Sequence, residues 1–309
     1  MKRNVLVTLA ALVLQILFAT TTGAQNQARI FPPKPSPAQT SGDSEEKTQA
    51  GSPGRHEGAT DSGVTADATT TCAYTFTSNA TATAPYMQYC VTVNGNIVEF
   101  QSPKGIESIK EGVIGEGYGI CDVNTGTAYY DWAQPGDSGN WNAPTTVTDT
   151  KTEVKIERTT TDGAWTLTQT ITQVAAGGYA KIVMALKNNS DASKDAYLMR
   201  WASVNPANNA NNGKSNLDGT VNSVWGYIPD GGTNQAFGLM LQNIGPQPTS
   251  IRTFSGIPLN TIGPIDSCNP TSFYDGTLQD VDGSILMLYV IAGIAKETTS
   301  TVTMKYFAF

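Results

Sequence analysis

Asp162-Gly163 stands between two extended runs, and the register it sets constrains this chain more than any other feature. Asp-Gly in that setting favours a two-residue type I′ turn, with positive φ at both central positions. Counting outward pairs Thr161 with Ala164, Arg158 with Leu167, Ile156 with Gln169 and Val154 with Ile171, so the apolar positions share one face. Lys151, Glu153, Lys155 and Glu157 point the other way. A slip of one residue would set Val154 against a threonine, because side chains alternate with a period of two. The same counting from Gly177-Gly178 places Gln173 opposite Ile182, Ile171 opposite Met184 and Gln169 opposite Leu186, and the face survives. The third connection, Asn188 to Asp195, is longer and rich in turn-forming Asn, Asp and Ser. If it skips an even number of residues, Tyr197, Met199 and Trp201 join Ile182, Met184 and Leu186. Four strands sharing one apolar face form a sheet that needs a second layer to cover it.

Short alternating runs continue along the chain, and no long stretch has helical apolar periodicity. Asn94-Gly95 predicts a hairpin that sets Tyr89, Val91 and Val93 opposite Phe100, Val98 and Asn96. Residues 118–123 and 127–132 flank Asn124-Thr125-Gly126 as a third hairpin. Further strands are expected over 221–227, 237–242, 284–291 and 301–309, with 285–291 apolar on both faces like a covered central strand. The expected fold is therefore all-β: a large antiparallel β-sandwich of two packed sheets with more than a dozen strands, disulfide-stabilised and without significant helix. Phe309 would also suit the end of an outer-membrane barrel, but the regular ten-residue alternating segments of a barrel are missing.

Residues 1–24 have a basic start (Lys2, Arg3), an apolar run from Val5 to Phe18 and small residues up to Ala24, the pattern of a secretory signal peptide cleaved after Ala24. The run is shorter than the roughly 20 apolar residues of a spanning helix, so no transmembrane span is expected after cleavage. From Gln25 to Thr71 the composition turns to Pro, Ser, Thr, Gly and charges, with Phe31 the only aromatic, and reads as a disordered spacer. Residues 72–309 then form the β-sandwich domain, with a division near Thr145 to Thr152 as the alternative. An exported chain with four cysteines implies two disulfides, and Cys72 with Cys90 and Cys121 with Cys268 is the expected pairing. The expected location is secreted or extracytoplasmic.

The chain has a single histidine, His56, and it lies in the spacer. The domain can therefore build no Ser-His-Asp triad, Cys-His pair or His-ligated metal centre. No glycine-rich phosphate loop opens a helix, and a net charge of −7, which becomes −9 once Lys2 and Arg3 are removed, argues against nucleic acid as a partner. A carboxylate pair of the kind glycosidases use survives these exclusions.

The most suggestive stretch runs from Tyr129 to Trp141. It sets four rings (Tyr129, Tyr130, Trp132, Trp141) and two carboxylates (Asp131, Asp137) within thirteen residues. Flat aromatics stack on the C–H faces of sugars and carboxylates accept their hydroxyl hydrogens, while the structural alternative is that these rings plug the sandwich. Asp280 and Asp282, before Gly283, are a fragment of calcium-loop chemistry, and the Asn-rich stretch from Asn205 to Asp218 offers further oxygens. Otherwise no cofactor is expected. Glu116 lies between glycines that would let a ligand approach the backbone. Asn79 and Asn188 head N-glycosylation sequons. The functional expectation is a secreted binding or structural surface module, with a polysaccharide or cell-surface component as partner. The alternative is a carboxylate-dependent carbohydrate-active enzyme using two of Asp131, Asp137, Glu116, Asp230 and Asp275.

Overall fold

The computed structural model describes residues 71–82, 84–109, 115–133, 136–204, 214–220, 222–228, 237–246, 250–256, 267–268 and 279–309. The expected signal peptide, the expected spacer with His56, Asp230, Asp275, Gln134-Pro135 and residues 205–213 of the Asn-rich stretch lie outside them.

Eighteen strands and one short 3-10 turn make up the described secondary structure. The first three, β1 (Tyr74–Ser78), β2 (Met87–Val91) and β3 (Ile97–Gln101), form a small sheet of their own. Two larger sheets form the sandwich. One has six strands in the order β15 (Ser250–Gly256), β17 (Ser284–Ile294), β11 (Lys194–Ser203), β4 (Glu116–Asp122), β5 (Thr127–Trp132), β6 (Gly136–Asp137). The other has nine, in the order β16 (Gln279–Asp282), β12 (Lys214–Thr220), β13 (Ser223–Ile228), β14 (Phe237–Asn243), β18 (Thr299–Ala308), β10 (Tyr179–Asn188), β9 (Trp165–Val174), β8 (Glu153–Thr159), β7 (Thr145–Asp149). Every pairing is antiparallel. The sandwich is thus the expected one, with a third small sheet added. Among the described residues no helix is long and apolar enough to cross a membrane.

Alternation drives the layering. On β8, β9, β10 and β18, buried and half-exposed residues alternate almost without interruption. Ile156, Leu167, Ile182 and Met304 meet Ile120, Leu198 and Met287 of the six-stranded sheet in one core, which the small sheet enters with Tyr89, Ile97 and Phe100. Strand β17 is buried over most of its length, as its two apolar faces require.

The register of β8 with β9 follows the sequence: Arg158 pairs with Leu167, Ile156 with Gln169 and Val154 with Ile171. The turn itself differs. Only Gly163 has a positive φ, and a four-residue loop is closed by Thr160 and Trp165, whose backbone groups bond. The Asp162 carboxylate stabilises it, accepting from the Thr160 hydroxyl at 2.6 Å and the Ala164 N–H at 3.0 Å. The next turn is longer than Gly177-Gly178 alone, because Ala175–Gly177 make a 3-10 turn capped by Gly178 in the left-handed region. Ile182 therefore pairs with Ile171 and Met184 with Gln169, two residues from the expected register, and an even shift keeps the same face. In the Asn94-Gly95 hairpin Tyr89 does pair with Phe100, but a bulge after Cys90 sets Val91 opposite Ile97.

The third connection corrects the expectation of four strands in one sheet. The free edge of β10 is taken by β18, and β11 crosses to the six-stranded sheet between β17 and β4. Asn188 organises the crossing: wholly buried, it donates to the carbonyls of Ala192 and Ile294 and accepts from the Ser190 N–H and hydroxyl. That burial also removes it as a glycan acceptor. Met199 and Trp201 consequently pack on the outer face of the six-stranded sheet with Trp132, Leu286 and Leu288. The alternative division at Thr145 to Thr152 is crossed by strand pairings, β7 with β8 and β4 with β11. Asp280 and Asp282 lie on strand β16, opposite Asn216 and Lys214.

Two disulfides, Cys72–Cys90 and Cys121–Cys268, are the expected pairs. The second closes a separation of 147 residues and, with the Ser267 hydroxyl donating to the Ile120 carbonyl, fastens the connection between β15 and β16 onto β4. The glycines of β4 serve close packing of a neighbour, not of a ligand. A methyl group at Gly117 would overlap both the Trp201 indole and the Asp131 carbonyl oxygen. Gly117→Ala is expected to cost about 1–3 kcal/mol through overpacking, read as a fall in the urea midpoint at unchanged m-value.

Candidate functional site

The structure divides the stretch 129–141 between two faces. Tyr129 and Asp131 point into the sandwich, and Trp132 joins the outer cluster. Tyr129 donates its hydroxyl to Asp162 at 2.5 Å and meets Trp141 edge-on, with ring centroids 6.1 Å apart. Trp141 donates its indole N–H to the Tyr130 carbonyl at 3.2 Å, and its ring covers the Arg158 guanidinium at 5.0 Å. Tyr129, Asp131, Trp132 and Trp141 are all buried, while Tyr130 and Asp137 keep partial exposure. The structure does bring the two carboxylates together: Asp131 and Asp137 pair across β5 and β6, and Arg158 grips both, at 2.5 and 2.6 Å. The aromatic loop expected to stack on sugars is a plug, because edge-to-face ring packing and the buried ion pair use up its faces.

Glu116 shares this fate, lying at the centre of a sheet and wholly buried. Its carboxylate pairs with Arg200, accepts the Ile97 N–H at 2.8 Å and accepts the Tyr306 hydroxyl at 3.1 Å. These groups form a seat for the Asn94-Gly95 hairpin tip, which enters between the two large sheets. Asn94 donates to Asp131 at 2.9 Å, and its carbonyl accepts from Tyr118 at 2.8 Å and Gln169 at 3.3 Å. Arg200 donates to the Gly95 carbonyl at 3.0 Å and to Gln169 at 2.7 Å. Burial pushes the Glu116 and Asp131 carboxyls up, against the pull of Arg200 and Arg158 respectively. Near the base of the same hairpin, burial pushes Glu107 up to about 7, although it accepts the N–H groups of Phe100, Ser108 and Ile109.

An open surface lies elsewhere, on the outer face of the nine-stranded sheet. Phe307 of β18 pairs with Tyr179 of β10 on one side and Met240 of β14 on the other, and Met240 pairs with Trp225 of β13. In the next row Phe309 bonds backbone to backbone with Gly238, which pairs with Tyr227. Phe309 is exposed, and Tyr179, Trp225, Tyr227, Met240 and Phe307 are half-buried. A methyl group at Gly238 would overlap the Phe309 ring, so the missing side chain lets that ring lie across the sheet. Phe307 and Phe309 stack with centroids 6.3 Å apart and planes at 18°. Four strands spaced about 4.8 Å apart spread the row from Tyr179 to Trp225 over roughly 14 Å. On the other side runs a polar row of Ser223, Gln242, Lys305 and Lys181, also in register across the strands. Lys305 places its ammonium 4.9 Å from the Tyr179 ring centre and 5.5 Å from that of Phe307. The residues that build this face were read only as strand positions in the sequence. The signal was Phe307 and Phe309, which break the polar side of β18.

No family model and no curated protein matches the chain. Among solved structures it is similar to a bacterial glucoamylase complexed with acarbose, at 15% identity over 78% of this chain and 32% of that one, with a TM-score of 0.47. It is also similar to a protein of Escherichia coli K12 assigned provisionally as an aldose 1-epimerase, at 9% identity over 76% of this chain and 99% of that one, with a TM-score of 0.42. A third is heparan sulfate lyase HepC of Pedobacter heparinus, at 10% identity over 73% and 33%, with a TM-score of 0.40. The chain thus spans about a third of the glucoamylase and the lyase. No residue or activity is carried across from them.

Two outcomes follow from the buried polar groups. Replacing Arg200 by Met leaves the Glu116 charge uncompensated and the Gly95 carbonyl without its donor, and is expected to cost about 3–5 kcal/mol in denaturant unfolding. Glu107 would lose its proton near 4.5 in the unfolded chain but holds it to about 7 when folded. Its stabilising contribution is therefore complete below about 4.5 and is lost as the pH rises through about 7. Thermal midpoints measured between pH 5 and 8 should fall, and Glu107→Gln should flatten that slope.

Proposed function

We propose that this protein is an extracytoplasmic carbohydrate-binding module that holds a polysaccharide across the outer face of its nine-stranded sheet. The observation that carries this reading is the in-register row Tyr179, Phe307, Met240, Trp225, half-exposed on a rigid sheet beside a row of hydrogen-bonding side chains. Saccharides present an apolar C–H face with hydroxyls at its rim, and a flat aromatic strip edged by Gln242 and two lysines complements both. Residues on hydrogen-bonded strands hold their spacing without ordering a loop, so little entropy is lost on binding. Export through the segment 1–24 fits two disulfides, which form and persist in oxidising compartments. The enzyme alternative finds little support in Asp131, Asp137 and Glu116, whose carboxylates are tied to buried arginines.

Pull-down of the exported protein on insoluble polysaccharides, followed by affinity electrophoresis on soluble ones, tests the reading. Trp225→Ala combined with Phe307→Ala is expected to weaken retention at least about tenfold, given stacking of about 1 kcal/mol or more per ring, with little change in the unfolding midpoint. Retention by no polysaccharide, or equal retention by the double variant, would overturn it. Trp141→Ala should instead destabilise the fold by about 3–5 kcal/mol, as truncation of a core tryptophan does.

A further inference from the structure

Resting on that reading, we infer that the saccharide is an acidic one, carrying carboxylate or sulfate groups, and that Lys181 and Lys305 are the residues that recognise its charge. The two lysines are direct cross-strand partners on β10 and β18, and both side chains lie on the outer face. Like charges placed directly opposite each other destabilise a sheet, so the pair stands at a cost to the fold. Neither lysine belongs to any of the ion pairs formed among the described residues. Two other lysines are neutralised: Lys187 lies 2.7 Å from Glu297, and Lys194 pairs with Asp122.

The surroundings supply no nearer compensation among the described side chains. The row continues past Lys181 to Thr172 and then Glu153, whose carboxylate accepts the Thr172 hydroxyl at 2.9 Å. On the other side Lys305 pairs with Gln242, which pairs with Ser223. What Lys305 does touch is the aromatic platform, its ammonium lying over the Tyr179 and Phe307 rings. A sugar stacked on those rings would bring a carboxylate or sulfate substituent to the ammonium, and a charge-assisted hydrogen bond would replace the missing partner. In a chain whose net charge is −7, a local cation pair beside an aromatic strip also resists general repulsion of an anionic polymer.

Affinity electrophoresis of the exported protein against polygalacturonate, chondroitin sulfate and a neutral β-glucan distinguishes the outcomes. Binding to at least one acidic polymer is expected to exceed that to the glucan by about tenfold or more, and to weaken between about 20 and 300 mM NaCl. The first two polymers separate a carboxylate preference from a sulfate preference. Lys181→Gln with Lys305→Gln should remove the preference and the salt dependence, while the double Arg variant keeps both. Equal binding of the neutral glucan, or an unchanged preference in the Gln variant, would overturn the inference. If the Trp225→Ala, Phe307→Ala variant still loses binding in that case, the carbohydrate reading stands alone; if no polymer binds, both fall.

Discussion

Seating the Asn94-Gly95 hairpin tip between two sheets is the constraint to which much of the interior answers. A turn carries backbone groups that its own strands cannot pair, and in a sandwich core no bulk water replaces the missing partners. Here Tyr118, Gln169 and Arg200 supply donors to the Asn94 and Gly95 carbonyls, and Glu116 accepts the Ile97 N–H. Each donor brings its own demand. Arg200 must be neutralised, which explains a fully buried Glu116; Asp131, which holds the Asn94 amide, needs Arg158, which in turn holds Asp137. Carboxylates that looked chemically available are thus consequences of a buried turn.

The sequence was legible wherever one local rule acted alone. Alternation located most strands, and the Asp162-Gly163 register was right although Asp162 does not take positive φ, because a four-residue loop closed by Thr160 and Trp165 keeps the same pairing. It failed where two elements compete for one edge. Nothing within residues 188–195 says that β18, more than a hundred positions later, will take the edge of β10 and send β11 to the other sheet. The buried network had left a trace. Arg158 and Gln169 fell on the inward parity of their strands, and a charged residue there marks a polar core as clearly as an apolar one marks a dry core. The stretch 129–141 misled because density of aromatics along a chain does not distinguish a surface from a plug. Its rings alternate between two covered faces, whereas Trp225 and Phe307, 82 positions apart, are brought close on an open one.

The two outer faces of the sandwich therefore have different characters. That of the six-stranded sheet is closed over by packing, with Trp201 laid on Gly117 and the indole N–H groups of Trp132 and Trp201 buried without a hydrogen-bond partner among the described residues. That of the nine-stranded sheet grades from threonines and mixed charges on β8 and β9 to aromatics on β18 and β13. One continuous sheet thus carries a solvated region and a sticky region whose spacing is fixed by backbone hydrogen bonds.

Strand β18 has a consequence for timing. It joins β10 to β14, so until it docks the nine-stranded sheet exists as two separate ribbons, β7 to β10 and β12 to β14 with β16. It also carries Lys305, Phe307 and Phe309. Non-local pairings of this kind form slowly, so the docking of β18 is expected to be a late step of folding. The aromatic row cannot exist before β18 is in place, because Phe307 stands between Tyr179 and Met240.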